Sequence, residues 1–403
     1  MKIEMSPAKR VLCLITIMLT NIAVMADLVI IPIISNLYQT FPDHVGYVNY
    51  IISGPMLIVV GSSLLATVLM KKLSKKVVIV TGGLIFSGGA VFGAAVSDPA
   101  FMAAMRTLVG VGQGLVNVVA VSLIADLYDD ENVRARITGY YNASMSFVAI
   151  LFSYLSGVIA QSSGWQSSFL CYWAAIPMLI MMFLFIPSIK QTDQTPAAAA
   201  ASPKAAREPF GWRYWSMASS WFLLNVMFGA TVLYYISPYI VENNLGDSAF
   251  TGLATSIKSI VGFIICLGFG AIYAGLKRQT NTICFLIAAA SIFLMILFPS
   301  KFAAVVLATI AGCAYKVSFS YVYARGFQIV PASRRDDAVA VTTAIYGIGS
   351  FLSTYFASWL MGVMHVDRVT NMFIVPVVIF VLLAVFEVIT AAKEKRELVA
   401  VPA

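Results

Sequence analysis

Long apolar runs separated by short polar segments repeat along almost the whole chain of 403 residues. Each run is rich in Leu, Ile, Met, Ala and Gly, and is close to the ~20 residues that a helix needs to cross a bilayer. Helices are expected because they satisfy their own backbone hydrogen bonds, which lipid cannot do. The pattern predicts an all-α integral membrane protein. Its twelve predicted transmembrane helices lie near residues 11–31, 47–69, 77–96, 100–124, 137–159, 168–188, 214–237, 250–274, 280–298, 302–324, 338–361 and 369–391.

Composition excludes an ordinary soluble domain. Charged residues make up 11% of the chain, against about 25% in soluble domains, and the mean hydropathy is +0.89. The amino-terminal run resembles a secretion signal, but it continues past the "VMA" at 24–26, so an uncleaved first helix is expected. The five cysteines show no C-x-x-C spacing and only two histidines occur. We therefore expect buried thiols, no metal site and no cofactor.

The basic residues give the predicted orientation. Of the 26 Lys and Arg residues, 21 lie in segments that share one side if the amino end is cytoplasmic, and two lie in the opposite segments. The other three, Arg106, Lys258 and Lys316, lie inside predicted helices. This asymmetry predicts that both termini are cytoplasmic, in the plasma (inner) membrane of a prokaryote. It also explains the net charge of +8 without any nucleic-acid partner.

The longest polar segment divides the predicted helices six and six. It is rich in Pro and Ala without apolar periodicity, which indicates a pliable linker rather than a domain. The halves resemble each other at an offset near 200, so that Arg134 after helix four corresponds to Arg334 after helix ten. We predict an N-terminal six-helix bundle (1–189), a cytoplasmic linker (190–213) and a C-terminal six-helix bundle (214–403). Such pseudo-symmetric halves are typical of secondary transporters.

Three motifs resemble those of the major facilitator superfamily, and the resemblance covers essentially the whole chain. "RTLVGVGQG" (106–114) is similar to the fourth-helix motif of that superfamily, an Arg followed by a Gly-rich turn with a Gln. "IADLYDDENVRAR" (124–136) resembles its usual exit from helix four, and "SGWQSSFLCYW" (163–173) its entry to helix six. The resemblance implies the twelve-helix fold of that superfamily and solute transport by alternating access.

Two departures from the superfamily pattern affect the expected mechanism. The loop after helix two, "TVLMKKLSKKVV" (67–78), has Lys71 where the superfamily usually has Asp, so its gating network must be altered. We expect gating to involve Lys71, Lys72, Asp126 and Arg134, with Asp126 anchoring its loop by pairing with nearby basic groups. The fifth-helix Gly-Pro signature of drug/proton antiporters is absent from 142–160, which argues against a drug exporter.

Charges in the apolar runs need a reason, because one at the bilayer centre costs at least ~2.5–3.5 kcal/mol. By helical rise, Asp27 lies roughly 6 Å and Arg106 roughly 9 Å below the outer ends of their helices. We predict that they pair and that protonation of Asp27 releases Arg106, which would couple transport to protons. A static ion pair, or Arg106 extending to the outer surface, remains the alternative. Gln113 and Asn117 share the face of Arg106 and are expected to face a cavity.

Two lysines in the second half indicate the charge of the substrate. Lys258 and Lys316 lie roughly 12 and 21 Å below the outer ends of their helices, too deep to extend easily to water. Without an obvious acidic partner, they favour an anionic, carboxylate-like substrate. The alternative is that they bond to backbone carbonyls or pair with Asp27. Polar and aromatic residues predicted to complete the pocket are Asn142, Asn225, Tyr235 and Tyr346.

The sequence thus predicts a monomeric secondary active transporter for a small organic solute, with an anionic substrate and proton coupling as the preferred interpretation. The main alternative is a multidrug efflux proton antiporter for amphipathic compounds, and a polytopic membrane enzyme is a remote one. No G-x-x-x-x-G-K-[ST] motif occurs, so ATP hydrolysis is not expected.

Overall fold

The computed structural model describes residues 6–128, 131–189, 210–331 and 334–400. The α-helices are α1 (Pro7–Leu19), α2 (Asn21–Val24), α3 (Ile34–Thr40), α4 (Val45–Met70), α5 (Lys75–Val91), α6 (Pro99–Leu127), α7 (Glu131–Ser163), α8 (Ala175–Phe185), α9 (Trp212–Phe228), α10 (Ile236–Glu242), α11 (Ser248–Leu267), α12 (Phe269–Leu276), α13 (Thr280–Leu297), α14 (Ala308–Ile329), α15 (Arg335–Met364), α16 (Val369–Met372) and α17 (Ile374–Ala400). The 3-10 segments are Ala26–Val29, Ile31–Ile33, Pro42–His44, Trp165–Ala174 and Lys277–Gln279. Two π-helical segments are Gly229–Leu233 and Ala303–Leu307.

The fold is that of an all-α integral membrane protein, as the apolar runs predict. Within the described residues, ten helices are long and apolar enough to cross a membrane, and a pair bent by 51°, Ala8–Val24 with Ala26–Thr40, forms an eleventh candidate. The run at 77–96 corresponds to α5, which has 17 residues. The number twelve and the cytoplasmic position of the termini fit this arrangement and stay predictions.

Local sequence signals explain where several helices begin. The side chains of Ser74, Asp98 and Asp247 accept hydrogen bonds from backbone N–H groups in the first turns of α5, α6 and α11. These are the residue types that best satisfy the free N–H groups of a helix start. Pro99 at the first position of α6 adds a residue whose missing N–H costs nothing there.

By their contacts, the described residues divide into two compact units. Unit 1 is formed within Met1–Ile30 and Phe41–Glu208, and unit 2 within Ile31–Thr40 and Pro209–Ala403. The sequence assigns residues 31–40 to the first bundle, whereas their contacts are with unit 2. The reason is that the first span is interrupted near Met25, and α3 and the 3-10 turn before it pack on α10 and α11. The proposed linker, 190–213, lies mostly outside the described residues.

In unit 1, α6 packs closely against both α4 and α5. Its glycines explain the close approach. A Cβ atom on Gly110 would lie 2.9 Å from the carbonyl oxygen of Pro55 in α4, and one on Gly112 would lie 2.5 Å from that of Gly82 in α5. Only a residue without a side chain fits at these contacts. The Gly-rich run of the fourth predicted helix is therefore a packing motif that faces two neighbours.

In unit 2, α13 packs against α14 and α17, α9 against α15, and α11 against α14. Large apolar side chains remain exposed on the outer faces of these helices; Leu267 is 73% and Phe298 is 64% exposed. Exposed apolar faces of this kind are unfavourable in water but match a lipid environment.

Candidate functional site

The first span of unit 1 is broken where its charged residue lies. α2 ends at Val24, and a 3-10 turn, Ala26–Val29, contains Asp27. A break in a membrane helix leaves carbonyl oxygens without intrahelical donors, so other groups must satisfy them. Three side chains do so, each from a different part of unit 1, and the bonds are Gln113 Nε2 to Val24 O (2.8 Å), Tyr172 Oη to Ala26 O (2.8 Å) and Ser156 Oγ to Val29 O (2.5 Å).

Asp27 and Arg106 form a buried ion pair within this broken region. Arg106 Nη2 donates to Asp27 Oδ1, and Arg106 is only 1% exposed. The guanidinium is also held by its Nε bond to Ile51 O (2.8 Å) and by a 3.5 Å contact of Nη1 with the Tyr172 hydroxyl. The structure thus brings together the two charges that the depth estimate placed near each other. Their part in proton coupling stays a prediction.

The second carboxylate oxygen of Asp27, unlike the first, accepts no hydrogen bond from Arg106. Oδ2 is buried and has no hydrogen-bond partner among the described residues. Gln113 Oε1 and Asn21 Oδ1, on neighbouring parts of the same unit, are buried acceptors in the same condition. An unsatisfied buried acceptor costs roughly 1–3 kcal/mol, so such atoms are uncommon without a functional reason. Oδ2 is therefore a buried acceptor that no donor among the described residues occupies.

The other predicted residues of unit 1 are only partly connected to this pair. Gln113 belongs to it through Val24, and Asn117 accepts a 3.4 Å hydrogen bond from the Tyr141 hydroxyl. Asn142 is exposed on α7 and is not joined to either. Tyr172 is not among the residues that the sequence predicts for the site, although it lies in the helix-six motif at 163–173.

Unit 2 contains an aromatic cluster around a predicted amide. Asn225 is 2% exposed; its Nδ2 donates to Trp221 O (2.7 Å), and its Oδ1 accepts from the Tyr315 hydroxyl (2.8 Å). Tyr315 stacks on Phe228 with ring centroids 4.1 Å apart, and Tyr346 stacks on Trp221 at 6.3 Å. Asn225 and Tyr346 thus belong to one cluster. Its members are Trp221, Asn225, Phe228, Tyr315, Phe319 and Tyr346.

Lys258 and Lys316 lie on adjacent helices, each over a glycine of the other helix. A Cβ atom on Gly312 of α14 would lie 2.8 Å from Lys258 Cγ, and one on Gly262 of α11 would lie 3.5 Å from Lys316 Cγ. Both side chains therefore lie at the contact between α11 and α14. Lys258 Nζ donates to Val232 O (3.1 Å), in the first π-helical segment. A bond to a backbone carbonyl is the alternative that the sequence allowed for this lysine.

Lys316, by contrast, is exposed, and its ammonium group has neither a hydrogen bond nor an ion pair within the described part of the chain. The hydroxyl oxygens of Thr255 on α11 and Thr309 on α14 are buried and also lack partners among the described residues. Hydroxyl and ammonium groups are both donors that suit an anion. The facing helices α11 and α14 therefore carry three donor groups that bond to no acceptor among the described residues.

Tyr235 has a separate environment in unit 2. Its hydroxyl lies 3.1 Å from that of Tyr38 and donates to Thr354 O (3.2 Å). It is buried and bonded to the segment 31–40 rather than to the Asn225 cluster. A role in substrate binding stays a prediction.

The residues expected to take part in gating, all in unit 1, have different environments in the structure. Lys71 and Lys72 are exposed at the turn after α4. Asp126, near the end of α6, forms a buried ion pair with a basic residue, Lys75, whose Nζ also donates to Ser122 Oγ (2.6 Å). Arg134 belongs to α7, and its side chain lies outside the described residues. The sequence showed Lys75 in the same basic run but did not distinguish it from its neighbours.

A larger ionic cluster in unit 2 joins the 3-10 segment Lys277–Gln279 to three α-helices, α9, α14 and α17. Arg278 Nη1 lies 2.6 Å from Glu387 Oε2, and its Nε lies 3.1 Å from Glu394 Oε2. Arg325 also pairs with Glu394, and Arg213 with Glu397 at 3.1 Å. Each unit therefore contains a buried or half-buried ion pair near a basic segment that connects two spans. The pairs are Lys75–Asp126 in unit 1 and Arg278–Glu387 in unit 2.

Comparison with known proteins decides the family. A model described as "Major Facilitator Superfamily" matches residues 14–354. The chain belongs to the Major Facilitator Superfamily. This membership identifies a membrane transporter rather than an enzyme, and confirms the resemblance noted in the helix-four and helix-six motifs.

Solved structures of Major Facilitator Superfamily transporters share the fold. A bacterial homologue of the human lysosomal transporter Spinster gives a TM-score of 0.79 at 15% identity, covering 96% of this chain and 98% of that one. The D-xylose-proton symporter gives 0.74 at 15% identity, covering 95% of this chain and 97% of that one. At this identity the likeness extends to the fold alone.

Curated relatives match over a shorter stretch. The Methylenomycin A resistance protein of Bacillus subtilis is 27% identical over 34% of this chain. The Multidrug resistance protein MdtL of Escherichia coli O6:K15:H31 is 33% identical over 31% of it. The match spans 29% and 31% of the lengths of these relatives.

Proposed function

We propose that this protein is a proton-coupled secondary active transporter that moves a small organic anion across the plasma membrane by alternating access. The observation that carries the proposal is the Asp27–Arg106 pair, which is buried at a break in the first span and leaves one carboxylate oxygen open. Intramembrane ionisable residues are expensive and usually serve transport or proton relay. The protein acts as a monomer in the inner membrane of a prokaryote, with both termini cytoplasmic.

Proton coupling follows from the way the pair is held. While Asp27 is ionised, Arg106 is neutralised through Oδ1 and kept in place by Ile51 O. Uptake of a proton at Oδ2 removes the charge of the carboxylate and weakens its hold on Arg106. The carbonyl oxygens of Val24 and Ala26 at this bend accept hydrogen bonds from the side chains of Gln113 and Tyr172, so the change in charge reaches the backbone through these two side chains.

The charge of the substrate is argued from α11 and α14. Lys316 offers an ammonium group with no partner among the described residues, and Lys258 lies next to it on the facing helix. Two like charges repel, and an anion between them removes that repulsion while accepting hydrogen bonds. The buried hydroxyls of Thr255 and Thr309 supply further donors to the same helix pair.

Gating is proposed to involve the ion pair of Asp126 with Lys75 in addition to Lys71, Lys72 and Arg134. Asp126 and Lys75 have side chains that are 7% and 4% exposed, so the bond between them is shielded from water. A shielded pair of this kind resists being broken, because either partner alone would be a buried charge.

Flux in proteoliposomes tests the proposal. Purified protein is reconstituted, an inside-to-outside pH gradient is imposed, and uptake or release of a panel of organic anions is followed. Asp27→Asn is expected to abolish the flux that depends on the gradient, whereas Asp43→Asn, at an exposed loop carboxylate, should not. Unchanged coupling in Asp27→Asn would remove Asp27 from the mechanism.

A second candidate is a multidrug efflux antiporter. It is favoured by the similarity to MdtL and by the aromatic cluster around Trp221 and Tyr315, since flat apolar surfaces suit amphipathic compounds. The two candidates differ in charge preference. Stabilisation by organic cations rather than anions in a thermal-shift screen would favour efflux of amphipathic compounds.

A further inference from the structure

A surface cavity of about 380 Å³ lies beside α12 and the end of α14, apart from the residues proposed for transport. It is lined mainly by Tyr273, Lys277, Arg278, Tyr321, Arg325 and Gln328. Three of these side chains are basic. No carboxylate lines the cavity within the described residues, so its wall carries positive charge.

The cavity is open because α12 is short and none of its residues is buried. α11 ends at Leu267, Gly268 caps it, and α12 continues for eight residues to Leu276. The chain then turns sharply at Lys277, whose φ is 48° and ψ −119°. A side chain at positive φ costs energy and is uncommon outside functional or tightly constrained sites. This turn places Lys277 at the cavity.

The basic groups of the wall differ in how they are held. Arg278 and Arg325 are fixed in position by Glu387 and Glu394. Lys277 is exposed, and its ammonium group has no ion pair or hydrogen bond to any other described residue. The cavity therefore combines two fixed guanidinium groups with one ammonium group whose charge is not compensated.

Polar donors and aromatic rings complete the wall. Gln328 Nε2 lies 2.9 Å from the Tyr273 hydroxyl, and the ring of Tyr273 lies 6.0 Å from that of Tyr321. Tyrosine rings are typical of the depth at which lipid headgroups meet the hydrocarbon. On α11, which directly precedes α12 in the chain, Ile264 and Leu267 expose apolar side chains. A charged wall thus adjoins an apolar surface.

We propose that this cavity binds the phosphate headgroup of an anionic phospholipid, with the acyl chains lying along the exposed side of α11 and α12. Lys277 supplies the uncompensated charge, and Gln328 and Tyr273 supply hydrogen bonds. Basic pockets between membrane helices recognise anionic headgroups through this combination of charge and donors. A soluble phosphate would match the wall but would leave the adjoining apolar surface uncovered.

Lipid retention in native mass spectrometry tests the site. Protein in detergent is titrated with phosphatidylglycerol and, separately, with phosphatidylcholine, and the apparent affinity of the first bound lipid is measured. The wild-type chain is expected to prefer phosphatidylglycerol. Lys277→Gln should weaken that preference about fivefold, the factor that one basic residue near an anionic surface contributes. Gln328→Glu, which places a negative charge in the wall, should weaken it further.

The matched control is Lys301→Gln, an exposed lysine at the other end of α13. It should leave the preference unchanged. Equal loss in Lys301→Gln, or no loss in Lys277→Gln and Gln328→Glu, overturns the site. Thermal stabilisation by glycerol phosphate equal to that by phosphatidylglycerol overturns the lipid as its occupant. Proton-driven flux is not expected to depend on Lys277, so the failure of this proposal and that of the transport proposal are distinguishable.

Discussion

Asp27 meets Arg106 through Oδ1 alone, while Oδ2 has no donor among the described residues. The pair is thus neutral in charge but incomplete in hydrogen bonding. A purely structural ion pair in a membrane interior would be expected to satisfy both oxygens, since each unsatisfied one is costly. This asymmetry leads to the first prediction.

Removing Arg106 should destabilise the protein more than neutralising Asp27. Arg106→Gln leaves a buried carboxylate without its cation, a change that typically costs about 3–5 kcal/mol. Asp27→Asn leaves the guanidinium its bond to Ile51 O and should cost less. The double variant Asp27→Asn/Arg106→Gln should recover part of the loss. Thermal unfolding of the four proteins in one detergent measures this, and a double variant no more stable than Arg106→Gln would contradict it.

Lys258 and Lys316 should respond differently to loss of charge. Lys316→Gln is expected to weaken binding of organic anions with little change in stability, because the side chain is exposed and makes no bond within the described residues. Lys258→Gln should weaken anion binding as well, yet keep a donor for Val232 O, whereas Lys258→Met loses that donor and should also lower the unfolding temperature.

Isothermal titration with several organic anions and cations measures the binding part. Lys301→Gln, an exposed lysine at the far end of α13, serves as the control. An equal loss of affinity for cations and anions in Lys316→Gln would refute charge matching.

Lys75 should be far more important than Lys71 for stability. Lys75→Ala leaves Asp126 buried without its cation, which typically costs about 3–5 kcal/mol. Lys71→Ala changes an exposed side chain and should stay within about 0.5 kcal/mol. Urea or thermal unfolding of both variants distinguishes them. Similar stabilities would mean that the Lys75–Asp126 pair contributes little.

A Gly→Ala substitution should lower stability at glycines that pack against a neighbouring helix and not at glycines that have free space around them. Gly110→Ala places a Cβ atom 2.9 Å from Pro55 O and is expected to cost about 1–3 kcal/mol through overpacking. Gly139→Ala, in α7, meets nothing within 4 Å and should be neutral or slightly stabilising, because Ala favours a helix over Gly by roughly 0.5–1 kcal/mol. Equal effects of the two substitutions would contradict the packing role of the helix-four glycines.

The sequence predicted those features that depend on hydrophobicity and depth. The run lengths gave the membrane-spanning helices, and helical rise placed Asp27 and Arg106 at similar depth. Lys75 was not distinguished from Lys71 because both lie in one basic run. In the structure, α5 begins at Lys75 after its N-cap Ser74, and Lys75 pairs with Asp126. The pattern of a single sequence does not show which lysine of a basic run faces a given carboxylate.

The hydrophobic pattern also did not predict that the first span is interrupted. Residues 11–31 form one apolar run, and Pro32 comes after the break. The carbonyls that the break exposes are satisfied by Gln113, Tyr172 and Ser156, which lie 89, 146 and 127 positions away from their acceptors. A feature stabilised by three distant side chains has no local sequence signal. The assignment of residues 31–40 to the first bundle differs from the contacts for the same reason.

These three bonds also have a consequence for how the protein can change in evolution. The backbone around Asp27 cannot straighten unless Gln113, Tyr172 and Ser156 all lose their acceptors, so their individual effects on stability should not be additive. A second substitution at any of them would cost less than the first. The neighbourhood of Asp27 is therefore an epistatic unit, in which positions far apart in the chain are constrained together.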